Sequence, residues 1–126
     1  MEVATGKRDK LLVYGNNFDT YDGTGVRDYV HVSDLARAHL AAIDVLFKHQ
    51  SATINLGSEK QYSVMDVIKL TKKITGKEIP YEVAGRREGD PDKIYASSEN
   101  ALNLLKWSAK DSELDNIIET TWRIYK

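Results

Sequence analysis

Several residue types and patterns are missing from this 126-residue chain, and each absence removes a class of function. There is no cysteine, which excludes disulfide bonds, thiolate catalysis and zinc sites with cysteine ligands. The formal net charge is −1, so there is no basic excess of the kind that non-specific nucleic-acid binding requires. We therefore expect no nucleic-acid partner.

Long apolar runs are also missing from the sequence. None approaches the roughly 20 residues that a membrane span requires, and residues 1–5 lack the apolar core of a signal peptide. We expect a cytoplasmic protein with no membrane partner. The three histidines, His31, His39 and His49, do not have the spacing of metal ligands, so no metal site is predicted.

The residues that are present predict one small α/β unit. A length of 126 residues suits one modest domain with a single core. Short runs rich in β-forming residues, each ended by turn residues, predict short strands. These runs cover residues 11–14, 28–32, 53–56, 78–83 and 94–96.

Two longer helices follow from apolar residues at helical spacing. The first should begin at residues 33–34, where serine and aspartate both suit the N-cap position, and run to about Lys48. The second should begin at Ser63, with Asp66 completing a weak capping box, and end at Gly76.

Two further helices are predicted towards the end of the chain. A short one should be capped by Ser97 or Ser98, with Trp107 packing where it stops. The last is amphipathic and extends over residues 114–125.

The first candidate site is Gly-Thr-Gly-Val-Arg-Asp at residues 23–28. It fails the P-loop pattern, and it fails the dinucleotide fingerprint because its glycines precede a strand instead of following one. A structural turn is the simpler interpretation of the two glycines. Arg27 could grip phosphate oxygens with its planar guanidinium. A salt bridge to Asp22 or Asp28 explains it equally well.

The second candidate site is Arg-Arg-Glu-Gly-Asp at residues 86–90. Adjacent arginines in an extended segment point in different directions, so one could bind a ligand while the other pairs with Glu88. Asp90 could accept hydrogen bonds from ribose hydroxyls. A solvated charged loop is the alternative interpretation.

Taken in order, these segments resemble the UDP-glucose 4-epimerases, which are extended short-chain dehydrogenase/reductase enzymes. The resemblance rests on Leu-Leu-Val-Tyr-Gly-Asn at 11–16, Tyr-Asp-Gly-Thr-Gly-Val-Arg-Asp-Tyr-Val-His-Val at 21–32, Asp-Leu-Ala at 34–36, Asn-Leu-Gly at 55–57, Ser-Val-Met-Asp-Val at 63–67 and Arg-Arg-Glu-Gly-Asp at 86–90. It covers nearly the whole chain. It implies that residues 1–126 are the C-terminal, UDP-sugar-binding portion, without the N-terminal NAD-binding domain.

The resemblance implies a small substrate-binding lobe of short strands and about four helices, plus the last strand-helix unit of a Rossmann-like sheet. Within it, Arg27 and Arg87 match arginines that hold the diphosphate of a UDP-sugar, and Asp90 matches an aspartate on the uridine ribose. Leu12 and Tyr14 match positions whose backbone groups meet the uracil edge.

Ile94 falls where family members differ in bulk beside the sugar. A bulky residue there goes with UDP-glucose and UDP-galactose, and a small one with N-acetylated sugars. Isoleucine is intermediate, so the sugar preference stays open.

The family's chemistry depends on parts that this sequence lacks. It uses NAD, and a tyrosine with a lysine four residues later as the base. No tyrosine here has a lysine at that spacing, and no glycine-rich strand-to-helix turn occurs. We therefore expect no catalytic residue, no bound NAD and no activity from the isolated chain.

A chain without the dinucleotide-binding sheet should leave apolar surface uncovered on the helix after residue 34, which predicts self-association. Two alternatives stay open: a fragment of a related nucleotide-sugar dehydratase or epimerase, and a non-catalytic interaction module.

Overall fold

The computed structural model describes residues 1–48 and 51–126, so His49 lies outside the described residues. The elements in these ranges are β1 (Leu11–Tyr14), β2 (Val26–Arg27), α1 (Val32–Phe47), β3 (Tyr62–Ser63), α2 (Val64–Thr75), β4 (Tyr81–Ala84), β5 (Lys93–Ile94), α3 (Glu99–Leu105) and α4 (Leu114–Tyr125). They confirm the predicted mixed α/β class with short strands and four helices.

The strands form two small sheets. β1 and β4 pair in parallel, from Leu11 opposite Tyr81 to Tyr14 opposite Ala84. β2 is the middle strand of the second sheet, antiparallel to β3 and parallel to β5. The loop at residues 85–92 runs from β4 to β5 and therefore links the two sheets.

The helices pack in two pairs. Ala38 of α1, Ala101 of α3 and Trp107 form a buried cluster, and the small alanine side chains let the two helices approach closely. On the other side, α2 packs on α4, and each helix buries an isoleucine, Ile68 and Ile118.

The predicted ends of α2 are confirmed. The Ser63 hydroxyl accepts from the Asp66 amide at 3.0 Å, and the Asp66 carboxylate accepts from the Ser63 amide at 3.0 Å, which completes the capping box. Gly76 ends the helix with φ of 65°, a left-handed conformation that costs glycine little.

The strand predicted at residues 28–32 is wrong. The ladder stops at Arg27 because the Asp28 carboxylate, instead of a backbone carbonyl, accepts from the Ala96 amide at 3.1 Å. Helix α1 begins at Val32, and its cap is His31, whose Nδ1 accepts from the Ser33 amide at 3.0 Å. The predicted cap at residues 33–34 therefore lies inside the first turn.

Two other local predictions are also corrected. Residues 53–56 form no strand, and Ile54 and Leu56 pack instead against the cluster of Ala38, Ala101 and Trp107. Ser98 precedes α3, but its hydroxyl makes no cap because it bonds both the amide and the carbonyl of Gly57, each at 2.9 Å.

The last two predicted strands exist with shifted ends. The run predicted at 78–83 pairs over Tyr81–Ala84, and the run predicted at 94–96 pairs over Lys93–Ile94. Both shifts follow from the partner strands, since pairing is set by β1 and β2 and not by the run's own composition.

No helix within residues 1–48 and 51–126 has the length and apolar character needed to cross a membrane.

Candidate functional site

A cleft of about 240 Å³ lies where the two sheets meet the 85–92 loop. Its lining residues come from β1, β2, the loop between them, the start of α2 and the 85–92 loop. They are Leu12, Val13, Tyr14, Phe18, Gly25, Arg27, Val64, Arg87 and Asp90. Five of the six residues that the sequence singled out thus line one cleft.

A larger and more open cavity of about 590 Å³ lies beside α2 and contains none of the six. Its walls include Tyr21, Tyr62, Lys69 and Lys73. We consider the smaller cleft the better candidate because cationic and anionic groups from separate segments converge there.

The β1 strand presents a free edge towards the cleft. The Leu11 amide donates to the Pro80 carbonyl at 2.9 Å, and the Gly15 amide donates to the Ala84 carbonyl at 3.0 Å. In a parallel ladder every second residue directs its backbone groups to the same neighbouring strand, as Leu11 and Gly15 do here. The amides and carbonyls of Leu12 and Tyr14 therefore face away from β4, as an edge-binding role requires.

Arg27 does not form the predicted alternative salt bridge with Asp22 or Asp28. Its Nη1 donates to the Val26 carbonyl at 2.7 Å, which leaves the other guanidinium nitrogens for the cleft. Asp28 is occupied with the Ala96 amide. Gly25 lies close to the guanidinium, since a Cβ at this position would be 3.3 Å from the Nη1 of Arg27.

Asp22 holds the glycine-rich turn closed. It accepts from the Thr24 amide at 2.9 Å and the Thr24 hydroxyl at 2.8 Å, and it also accepts from the Ser63 hydroxyl. Burial alone would raise the pKa of Asp22, but the hydrogen bonds from Ser63 and Thr24 outweigh it and hold the pKa below its ordinary value. Gly23, with φ of 80°, makes the turn, as the simpler interpretation predicted.

Arg87 and Asp90 are paired across the cleft mouth. Arg87 Nε donates to Asp90 Oδ2 at 3.0 Å, and the guanidinium lies over the Tyr14 ring, with 4.6 Å to the centroid. Neither contact uses the two Nη groups of Arg87 or the Oδ1 of Asp90, and no other described protein group hydrogen-bonds to them. The neighbouring Arg86 pairs with Asp92 at 2.9 Å and not with Glu88 as one interpretation predicted.

Ile94 does not line this cleft. It lies on β5 directly opposite Arg27, with nearly half of its surface exposed. It is therefore beside the arginine.

Sequence reasoning missed four lining residues, Val13, Phe18, Gly25 and Val64. Gly25 was visible as the second glycine before an arginine, but was interpreted only as part of a turn. Phe18 and Val64 had no signal, since apolar residues in a loop and at a helix start are common.

Comparison with known proteins gives a consistent set of matches. The family described as "NAD dependent epimerase/dehydratase family" matches residues 1–57. The UDP-glucose 4-epimerase of Halalkalibacterium halodurans is 42% identical over 100% of this chain and 38% of its own length. That of Bos taurus is 48% identical over 99% of this chain and 36% of its own length.

The fold matches solved structures as well. The crystal structure of the UDP-glucose-4-epimerase from Stenotrophomonas maltophila, with bound NAD and formylated UDP-arabinopyranose, has a TM-score of 0.90 and 37% identity. The match covers 97% of this chain and 36% of that one.

Residues 1–57 are thus similar to the NAD dependent epimerase/dehydratase family. The chain is similar to UDP-glucose 4-epimerases and spans little more than a third of their length, which confirms the resemblance to their C-terminal portion.

Proposed function

We propose that this chain is the UDP-sugar-binding portion of a UDP-glucose 4-epimerase, an enzyme that interconverts UDP-glucose and UDP-galactose by transient oxidation at C4. The observation that carries the proposal is the convergence of Leu12, Tyr14, Arg27, Arg87 and Asp90 on one cleft. They come from distant parts of the sequence, and a solvated charged loop gives no reason for this convergence.

The charges of the cleft suit a diphosphate. Arg27 and Arg87 both line it, and each keeps guanidinium donors that no described protein group uses. Two guanidinium groups can hold the phosphoryl oxygens with paired, charge-assisted bonds. In this proposal, the pair with Asp90 orients Arg87 and leaves its Nη groups for the ligand.

The remaining contacts suit a nucleoside on one side and a sugar on the other. The open Oδ1 of Asp90 can accept from ribose hydroxyls, and the free β1 edge at Leu12 and Tyr14 can pair with the uracil edge as an added strand would. Ile94 would then lie beside the sugar. Its intermediate bulk leaves the sugar preference of the complete enzyme open.

The start of α2 does not suit the pyrophosphate of NAD. At the junction of β3 and α2, the first amides of the helix already have partners: Val64 donates to the Gly25 carbonyl, Met65 to the Thr24 hydroxyl and Asp66 to the Ser63 hydroxyl. A pyrophosphate needs such amides unpaired. We therefore propose that NAD belongs to the rest of the enzyme and that the 126 residues alone are inactive.

Removal of the Arg27 side chain tests the binding proposal. We expect UDP to bind the parent chain, and Arg27→Ala to weaken it by about tenfold to a hundredfold, because a charge-assisted bond to phosphate is lost. Isothermal titration measures both affinities. Arg123→Ala is the matched control, since Arg123 is exposed on α4 and pairs weakly with Glu119. Equal UDP affinity in the parent and Arg27→Ala, or no UDP binding, would contradict the proposal.

We also propose that the chain self-associates through α1. Four exposed large apolar residues lie in its second half, with exposed fractions of 44% to 78%: Leu40, Ile43, Leu46 and Phe47. Contiguous apolar surface of this kind favours association.

A charge on α1 tests this second proposal. We expect Leu40→Glu to shift the chain towards the monomer in sedimentation velocity, because it places a charge in the apolar face. Ile124→Glu is the control, since Ile124 is 83% exposed but lies on α4. A parent that stays monomeric at all concentrations would refute the idea.

A further inference from the structure

The two adjacent arginines of the 85–92 loop have separate surroundings. Arg87 lines the cleft with 62% of its side chain exposed, whereas the Arg86 side chain is 37% exposed and lies over the ring of Phe18. Arg86 does not line the cleft. Its contacts therefore need another explanation than direct ligand binding.

Arg86 makes three contacts that fasten the loop. Its guanidinium lies over the ring of Phe18, with 4.0 Å to the centroid, and Phe18 is buried. Its Nη2 donates to the Asp90 carbonyl at 2.7 Å and lies 2.9 Å from Asp92 Oδ1. One planar cation thus joins the loop after β1 to both ends of the turn that carries Arg87 and Asp90.

The local structure leaves this turn dependent on Arg86. Gly89 has φ of 81°, and within the described residues the one backbone hydrogen bond across the turn runs from the Asp90 amide to the Arg87 carbonyl at 3.3 Å. Asp92 Oδ1 is buried and makes no aligned hydrogen bond, so the Arg86 cation is its charge partner among the described residues. Removing that cation would leave a buried carboxylate oxygen uncompensated.

Gly15 shows how closely this arrangement is packed. A Cβ at Gly15 would lie 2.6 Å from the Phe18 ring and 3.2 Å from the Arg86 Cβ. The end of β1 therefore has no room for a side chain where Phe18 and Arg86 meet.

We infer that Arg86 is a positioning residue, which fixes the 87–90 turn so that Arg87 and Asp90 face the cleft together. The inference rests on the proposed function for the identity of the ligand. A guanidinium is needed because only a planar cation can stack on the Phe18 ring while it donates to the Asp90 carbonyl and pairs with the Asp92 carboxylate. The ammonium group of a lysine cannot make all three contacts.

Three charge-conserving variants and two ligands test the inference. We expect Arg86→Lys to weaken uridine about tenfold and UDP by more than that, because uridine loses the contact with Asp90 whereas UDP loses Asp90 and Arg87 together. Arg27→Lys should weaken UDP but leave uridine within about twofold, because it acts on the phosphates alone. Phe18→Leu, which keeps Arg86 but removes the ring, should resemble Arg86→Lys with a smaller effect.

Amide hydrogen exchange at residues 87–90 provides a readout that needs no ligand. We expect faster exchange there in Arg86→Lys than in the parent, with unchanged exchange in the α2–α4 core as evidence of folding. Unchanged exchange at 87–90, or uridine and UDP affinities within twofold of the parent, would overturn the inference. If the parent binds neither ligand, the proposed function fails, and the exchange result alone decides the role of Arg86.

Discussion

Among the described residues, two arginine–aspartate pairs have partners three positions apart in the sequence, and the surroundings of the two pairs differ completely. Asp34 is fully buried and pairs with Arg37, whereas Asp90 is partly exposed and pairs with Arg87. The same two side chains thus occupy opposite environments. The comparison separates an aspartate that holds the fold together from one that remains available to a ligand.

The buried aspartate has its hydrogen-bonding capacity filled. Asp34 accepts from the amides of Lys110 and Asp111 at 2.9 Å each and from the Ser112 hydroxyl at 2.6 Å. These bonds fasten the segment before α4 to the first turn of α1. Asp90 accepts one side-chain bond, from Arg87, which leaves an oxygen open. Unused hydrogen-bonding capacity distinguishes the aspartate of the candidate binding site from the structural aspartate.

The largest expected effect is on stability. Asp34→Ala should lower the free energy of unfolding by about 3–5 kcal/mol, because it leaves buried donors and the Arg37 cation without a partner. Asp90→Ala should cost at most about 1 kcal/mol, as for an exposed pair. Urea unfolding of both variants measures the difference. Similar losses would remove the distinction between the two pairs.

The stability that the buried pair contributes should depend on pH. Burial alone would raise the pKa of Asp34, but the hydrogen bonds from Lys110, Ser112 and Asp111 outweigh it, and the pKa is lowered. Its stabilising contribution is complete above the unfolded-state pKa of about 3.9 and is lost as pH falls through the lower folded-state value.

We therefore expect the stability of the parent to decrease with falling pH in that window more steeply than that of Asp34→Asn. Urea midpoints measured from pH 6 downward, at about half-unit steps, show the two slopes. Parallel slopes would mean that other carboxylates account for the acid sensitivity.

The smallest effect concerns the space beside Arg27. Gly25→Ala should weaken UDP about fivefold, because the new Cβ displaces the guanidinium, while stability changes little. Gly85→Ala is the control, since a Cβ there meets nothing within 4 Å. A Gly25→Ala variant that binds UDP as the parent does would show that the arginine adapts.

The elements that sequence predicted well are those whose signals are local. The capping box at Ser63 and the left-handed Gly76 lie within a few residues of the helix they bound, so α2 was predictable at both ends. The ladder at residues 26–27 was not, since it ends where Asp28 meets Ala96, far away in the sequence.

The candidate site divides in the same way. Arg27 and Asp90 were candidates from the residues alone and the family resemblance selected Arg87, and the structure brings the three to one cleft. The division of labour between Arg86 and Arg87 was not predictable, because it depends on Phe18 and Tyr14, which the fold places beside them.

The free edge of β1 has one further consequence. Unpaired amides and carbonyls on a strand edge attract any extended chain, including a second molecule of the same kind. If the uracil pairs with that edge, nucleotide and neighbour compete for the same atoms, and by mass action each suppresses the other. Saturating UDP should then keep the chain in solution at concentrations where it would otherwise precipitate, so that the nucleotide also serves as a solubilising agent.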